Sequence, residues 1–283
     1  MNTHQYLILA LDHRQSLKKL LAPHKPGSIT AAELIRWKTI ALQYLLPYVT
    51  HVLIDPEFGL PALQKIERKN TKVILSIEES GYQKIDGERL TRLKYTVEDH
   101  KKLGADMIKL LIYFNPRAKT AKHQKDLVQK ISKDCQKHNL PFLLEVAPYS
   151  LEPSSGDAPR RGATPYSVLE IAKEIMSLGC KIDIYKTAYP GDKNCNRLTK
   201  TLKIPWVLLS GGEEFPIYRK NLQTAMRGGA AGFAAGRTLW KDFIRRPREK
   251  WPEFFKKVAK TRLEEIVGIV KKNAQDTTSL TTA

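Results

Sequence analysis

Lys186 lies in the stretch Ile182-Asp183-Ile184-Tyr185-Lys186-Thr187-Ala188-Tyr189-Pro190. Strand side chains alternate with period two, so Ile182, Ile184 and Lys186 share one face. Pro190 takes the chain out of the sheet. A lysine in line with two isoleucines is desolvated, which pulls its pKa down, and a neutral amine can form a Schiff base with a carbonyl. Taken alone, the segment also admits a lysine whose stem runs past the strand end into solvent. A second lysine, Lys109, shares a face with Met107 and Leu111 in the apolar run 105–113, and Glu145 shares one with Leu143 in 141–147. A neighbouring ammonium lowers the pKa of the first, and a carboxylate on the strand between can take and return protons. Lys186, Lys109 and Glu145 together fit imine chemistry: condensation with a ketone, proton transfer and cleavage of a carbon–carbon bond.

These residues need a scaffold that brings separate strand ends together. Short apolar runs occur at 6–11, 51–55, 72–77, 105–113, 141–147, 182–188, 205–210 and 230–235, most of them followed by a helical pattern. Thr30 and Glu33 fit a capping box before a helix with Leu34, Trp37, Ala41 and Leu45 on one face. Eight strands covered on both faces and alternating with helices predict an α/β fold, the closed (β/α)₈ or TIM barrel. An open doubly wound sheet is the rival, but the first strand ends in Asp12-His13-Arg14 and not in a Gly-x-Gly-x-x-Gly turn. The predicted division is a barrel over 1–245, a C-terminal helix packed on it over 246–272, and a disordered tail over 273–283. The segment 148–164, rich in Pro, Gly, Ser and Arg, reads as a loop over the site.

A barrel of this kind carries its site at the C-terminal strand ends. Polar residues gather there: Asp12, His13, Arg14, Asp55, Glu57, Glu78, Glu79, Lys109, Glu145, Lys186, Ser210 and Arg237. Each has a structural reading, such as a cap or a buried ion pair, and it is the joint pattern that argues for a site. Ser210-Gly211-Gly212 and Gly236-Arg237 follow the last two strands. Glycines let backbone N–H groups approach an oxyanion, and barrels often bind phosphate at these two loops. Arg14 joins this phosphate-binding set.

Lys and Arg number 48 against 29 Asp and Glu, a net charge of +19, which attracts anions such as sugar phosphates, nucleic acid or acidic lipid. There is no zinc-finger spacing and no long basic arm, so no specific nucleic-acid partner is expected. Three scattered cysteines, the absence of a signal-peptide pattern and of a long apolar run predict a cytoplasmic protein that does not enter a membrane. The seven histidines form no cluster, so neither a metal nor a cofactor is expected. A homo-oligomer is compatible with the sequence.

Leu11-Asp12-His13-Arg14, Asp55-Pro56-Glu57-Phe58-Gly59, Glu78-Glu79-Ser80-Gly81-Tyr82, Lys109-Leu110-Leu111, Leu144-Glu145-Val146, Tyr185-Lys186, Leu209-Ser210-Gly211-Gly212 and Gly236-Arg237-Thr238-Leu239-Trp240 resemble the class I tagatose-1,6-bisphosphate aldolases and the related sulfofructosephosphate aldolases. The resemblance runs in order from Leu7 to Trp240. It implies a metal-independent lyase that cleaves a ketose phosphate or bisphosphate to dihydroxyacetone phosphate and an aldehyde. It further implies that Lys186 forms the Schiff base, Glu145 is the acid/base, Asp12 and Lys109 line the site, and Ser210 and Arg237 hold phosphate. The chain departs from the family pattern in three places. Ala188 replaces the carboxylate two residues past the lysine, His13 replaces a Gln, and Glu78-Glu79-Ser80 stands where the tagatose branch often has Glu-Lys-Thr. These departures leave the reaction type intact and the sugar open. The alternative is a barrel without catalysis, serving as a scaffold or regulator or binding polyanions.

Overall fold

The computed structural model describes residues 5–151 and 167–281. Its barrel strands are β1 (Tyr6–Ala10), β2 (His51–Ile54), β3 (Lys72–Ser76), β6 (Met107–Phe114), β7 (Phe142–Pro148), β8 (Ile184–Thr187), β9 (Trp206–Leu209) and β10 (Gly232–Ala235). A two-stranded hairpin, β4 (Gln83–Ile85) and β5 (Glu88–Leu90), is inserted between β3 and β6. The barrel closes in the order β1-β10-β9-β8-β7-β6-β3-β2, all neighbours parallel. The predicted (β/α)₈ architecture is therefore the observed one. The helices used below are α1 (Gln15–Leu21), α2 (Ala31–Leu45), α3 (Gly59–Leu63), α4 (Val97–Lys102), α5 (Ala121–Lys137), α6 (Val168–Met176), α7 (Cys195–Leu202), α8 (Phe215–Arg227), α9 (Arg237–Trp240), α10 (Trp251–Phe254) and α11 (Lys260–Thr281).

Two apolar layers hold this shape. Ile8, Ala10, Leu53, Ile74, Met107, Leu143, Ile184, Val207 and Ala234 fill the barrel. A larger cluster lies between the sheet and the helices, where Leu34, Trp37, Leu42 and Leu45 of α2 are fully buried. Thr30 and Glu33 cap α2 reciprocally as predicted, and Ser167 with Glu170 does the same for α6. Leu263, Ile266, Val267 and Val270 recur at helical spacing on α11 and are buried, so this helix packs on the barrel's outer layer. The helix continues to Thr281, past the point near Lys271 where its apolar pattern stops. Among the described residues, no helix is long and apolar enough to cross a membrane.

The seam between the first and last barrel strands is made of glycine. A Cβ on Gly232 would lie 2.1 Å from the Tyr6 carbonyl oxygen, and one on Gly236 would lie 2.5 Å from that of Ala10. Any side chain at either position would push β10 off β1.

The hairpin is absent from the sequence reading. Asp86 and Gly87 join its strands with φ of 50° and 82°, the left-handed pair that an Asp-Gly turn supplies. The turn signal was present in the sequence. Its flanking strands, however, are largely exposed and lack the apolar alternation that marks a strand.

Candidate active site

The site continues the inward faces of the strands. Stepping by two from the apolar residues inside the barrel leads from Ala10 to Asp12, from Ile74 through Ser76 to Glu78, from Met107 to Lys109, from Leu143 to Glu145 and from Ile184 to Lys186. The apolar layer is thus a floor for a charged one. In the β7–β8 register Glu145 lies beside Lys186, and in the β3–β6 register Ser76 lies beside Lys109. Because the charged side chains stand on strands and not on loops, their separations are fixed by the barrel.

The two lysines have different surroundings. Lys109 Nζ lies 2.6 Å from Glu78 Oε1, 2.9 Å from Asp12 Oδ2 and 3.2 Å from Glu145 Oε2. Burial opposes its charge, but Asp12, Glu78 and Glu145 outweigh burial and hold its pKa well above the ordinary lysine value. Lys186 Nζ has one carboxylate partner among the described residues, Glu145 Oε2 at 2.8 Å. A lysine ringed by three carboxylates is a fixed cation, and the less encumbered Lys186 is the better nucleophile. Glu145 stands between the two ammonium groups, and its Oε2 is shared by both.

The carboxylates respond in turn. Burial would raise the Asp12 carboxyl, but the ammonium groups of Lys109 and Lys186 together hold it below the usual range. Burial likewise raises Glu145, and the ammonium groups of Lys186 and Lys109 overcome it. Burial pushes the His13 imidazole down to about 3 despite nearby Asp12, so this ring is neutral. It packs edge-on against Trp240, with ring centres 5.2 Å apart.

Arg14, expected among the phosphate residues, is engaged elsewhere. Its guanidinium donates to Glu57 Oε1 at 3.1 Å and to the Glu78 carbonyl at 2.6 Å, and the side chain is buried. This arginine positions Glu78, and its Nε–H is buried without a hydrogen-bond partner among the described residues. Asp55 also supports the site. It pairs with Lys38, and its Oδ1 accepts the N–H of Phe58 at 2.7 Å, closing the turn into α3. Lys38 in addition donates to the Leu11 carbonyl at 2.6 Å, directly before Asp12. Lys38 was missed in the sequence. The signal was its place in the apolar stripe of α2, four residues after Leu34 and four before Leu42, where a lysine has to find a buried partner. Glu79 is exposed, and its N–H bonds to the Arg92 carbonyl, so that family departure lies on the surface. Ala188 is half-buried just beyond Lys186.

The second constellation also comes together. Gly211 and Gly212 have φ of 51° and 80°. Arg237 lies against Gly212 so closely that a Cβ there would sit 3.4 Å from Arg237 Nε. Ser210 Oγ accepts the N–H of Gly236 at 3.2 Å, so this N–H ties the two turns together. Thr238 Oγ1 donating to the Glu213 carbonyl at 2.7 Å and Lys241 Nζ donating to that of Gly212 at 3.2 Å complete the link.

The hairpin closes the opposite rim. Glu79 N–H to the Arg92 carbonyl ties it to β3, and Arg89 N–H to the Tyr149 hydroxyl at 3.3 Å ties it to the end of β7. The Arg89 guanidinium carbon lies 4.6 Å from the ring centre of Tyr82, 5.2 Å from that of Tyr149 and 5.6 Å from that of Tyr113. Residues 152–166, most of the loop predicted to cover the site, lie outside the described residues.

The model of the DeoC/LacD family aldolases matches residues 6–242. Tagatose 1,6-diphosphate aldolase 1 of Enterococcus faecalis is 25% identical over 296 residues, covering 94% of this chain and 90% of the relative. Tagatose 1,6-diphosphate aldolase 2 of Streptococcus agalactiae is 25% identical over 297 residues, covering 94% and 91%. Among solved structures, an archaeal fructose 1,6-bisphosphate aldolase superposes with a TM-score of 0.61 at 20% identity, covering 94% of this chain and 95% of that one, which is a likeness of fold.

Proposed function

The chain belongs to the DeoC/LacD family of aldolases, and on that premise we propose that it cleaves a ketose phosphate or bisphosphate through a Schiff base on Lys186, releasing dihydroxyacetone phosphate and an aldehyde. The observation that carries the reading is the shared carboxylate: Glu145 Oε2 lies 2.8 Å from Lys186 Nζ and 3.2 Å from Lys109 Nζ. Relatives named for tagatose 1,6-diphosphate support the substrate class.

The steps follow from the charges. Glu145 accepts a proton from Lys186, whose free amine attacks the ketone at C2. Glu145 then protonates the departing oxygen as water, and an iminium forms. The C4 hydroxyl gives its proton to Glu145, the C3–C4 bond breaks, and its electron pair moves into the iminium to give an enamine while the aldehyde leaves. Protonation at C3 and hydrolysis return Lys186 and the second product. Lys109 remains charged throughout and steadies Asp12, Glu78 and Glu145 around the reacting centre. The iminium is the electron sink. Incubation with dihydroxyacetone phosphate followed by borohydride is the direct test. The reduced adduct should add the substrate's mass to the peptide holding Lys186, and an adduct on Lys109 alone, or none, rejects the assignment.

Two variants test the supporting roles. Glu145→Gln still gives the borohydride adduct on Lys186 at long incubation, formed more slowly, and loses turnover by about 10² to 10⁴-fold, the usual contribution of a general acid–base group. Turnover equal to wild type would transfer the role to Asp12 or water. Arg237 and the Ser210-Gly211-Gly212 turn bind the phosphate next to the ketone, where a planar guanidinium grips two oxygens as an ammonium cannot. Arg237→Lys lowers kcat/KM for phosphorylated ketoses by about 10-fold or more, with a much smaller effect on unphosphorylated dihydroxyacetone. Equal losses on both substrates would mean that Arg237 supports the rim and does not read phosphate.

A further inference from the structure

The face opposite the active site carries a cavity of its own. Stepping by two from the apolar layer toward the strand starts leads from Ile8 to Tyr6, from Leu53 to His51 and from Ile74 to Lys72. These three side chains and Met107 line an opening of about 690 Å³, within the size range of sites that take small molecules. Tyr6 stands six residues before Asp12, roughly 20 Å along the strand, so this space is separate from the charged layer around Lys186. Barrel interiors are packed cores, and the N-terminal mouth ordinarily serves stability. An open mouth lined by polar side chains departs from that.

Its lining has three chemical parts. Tyr6 and His51 form an aromatic wall, with ring centres 5.4 Å apart and planes tilted by 43°, and Leu46 and Val49 extend it with apolar surface. Such a wall accepts a flat ring. Next to β6 and β8, Asp106 and Asp183 each spend one oxygen on a backbone N–H, that of Val73 at 2.7 Å and that of Phe142 at 2.8 Å. The other oxygen of each is left to accept from a hydroxyl or an amino group. Burial and the Asp183 carboxylate push the Tyr6 hydroxyl above its ordinary value, which marks the two as neighbours. The loop before β3 supplies cations. Arg68 pairs with Asp106 at 3.5 Å, but Lys69 and Lys72 are exposed and have no carboxylate partner among the described residues. Glu67 on the same loop is exposed and pairs with neither. Lys69 has a φ of 50°, a left-handed conformation that is costly for a long side chain. Backbone strain of this kind collects at ligand clamps and active sites.

We propose that this cavity is a second binding site, for a nucleoside phosphate whose base lies against Tyr6 and His51, whose hydroxyl or amino groups donate to Asp106 and Asp183, and whose phosphate meets Lys69 and Lys72. A flat ring, hydrogen-bond donors and an anion in one small molecule answer the three parts together. A plain sugar phosphate would leave the aromatic wall unused, and an uncharged aromatic ring would leave both lysines unused. The site shares no residue with the Schiff-base centre and stands whether or not Lys186 is the nucleophile.

Titration calorimetry with the common 5′-ribonucleoside monophosphates, each beside its nucleoside, tests this. At least one monophosphate should bind with a Kd below about 1 mM, and about 10-fold or more tighter than its nucleoside. In a variant carrying Lys69→Ser and Lys72→Ser that preference should fall below about threefold. Both lysines are exposed, so the change leaves the fold intact. Tyr6→Leu should weaken nucleoside and nucleotide alike by about fivefold or more, the mark of a lost stacking surface, and the lysine variant decides the matter should Tyr6→Leu fail to fold. Arg237→Lys separates this site from the phosphate turns at the other face and should leave the preference unchanged. The proposal is overturned if no monophosphate binds at about 1 mM, if the preference survives in the lysine variant or falls in Arg237→Lys, or if a folded Tyr6→Leu binds as the wild type does.

Discussion

Lys186→Met lowers turnover of a ketose phosphate by about 10⁴-fold or more, on the scale seen when an enzyme loses its nucleophile. It also abolishes the borohydride adduct, while the barrel remains folded. Methionine keeps the length of the side chain and suits the apolar floor beneath it. Glu145 is not stranded by the change, because Lys109 Nζ still lies 3.2 Å from the same oxygen. The loss is therefore chemical: without an amine at C2 no iminium forms, and the C3–C4 electron pair has nowhere to go. Single-turnover kinetics, mass spectrometry and a thermal melt read the three parts separately. A variant that retains turnover within 10-fold of wild type would move the Schiff base to another lysine or remove it from the mechanism.

Lys109→Met should cost stability, by about 3 to 5 kcal/mol, the penalty for removing one partner of a buried charge group. Asp12, Glu78 and Glu145 all converge on this ammonium, and methionine leaves them facing one another. The pH dependence has a definite sign. In the wild type Asp12 and Glu145 are held below their ordinary values, so their contribution is present above about pH 4 and lost as pH falls through their folded-state values. In the variant, burial and mutual repulsion raise the same carboxyls, which then favour the folded state only when protonated. The gap between the two proteins should already be present at about pH 4, where the wild-type contribution is in place, and widen as pH rises toward 7 and the variant's carboxyls are forced to ionise. Urea unfolding at a series of pH values measures it. A gap that is constant over this range would show that Lys109 contributes through packing and not through charge.

The barrel could be read from the sequence because its strands are apolar on both faces and its helices carry their own caps. Lys186, Lys109 and Glu145 were legible because each stands in register with an apolar residue two positions earlier. The contacts of Arg14 could not be read, because in a sequence a strand-end arginine looks the same whether it faces a ligand or the carbonyl of Glu78. Lys38 and Asp55 were not seen as a pair because 17 residues separate them, and only the packing of α2 on the barrel brings them together. Arg89 was hidden for a similar reason. Its partners Tyr82, Tyr113 and Tyr149 come from three different strand ends, and the hairpin that carries it lacks the apolar alternation of a strand.

The glycine seam has a consequence for how activity is gained during folding. β1 pairs with β2 and with β10, and the second pairing joins Tyr6 to Gly232 and Leu9 to Ala235. The other neighbouring pairs can form between segments closer in the chain, but this one closes a loop of most of the molecule, and long closures come late and slowly. Until it forms, Asp12 at the end of β1 and Arg237 at the end of β10 lie on open edges of an unclosed sheet. Catalytic competence is then a reporter of ring closure, and on dilution from denaturant the return of activity should lag behind the return of helical signal.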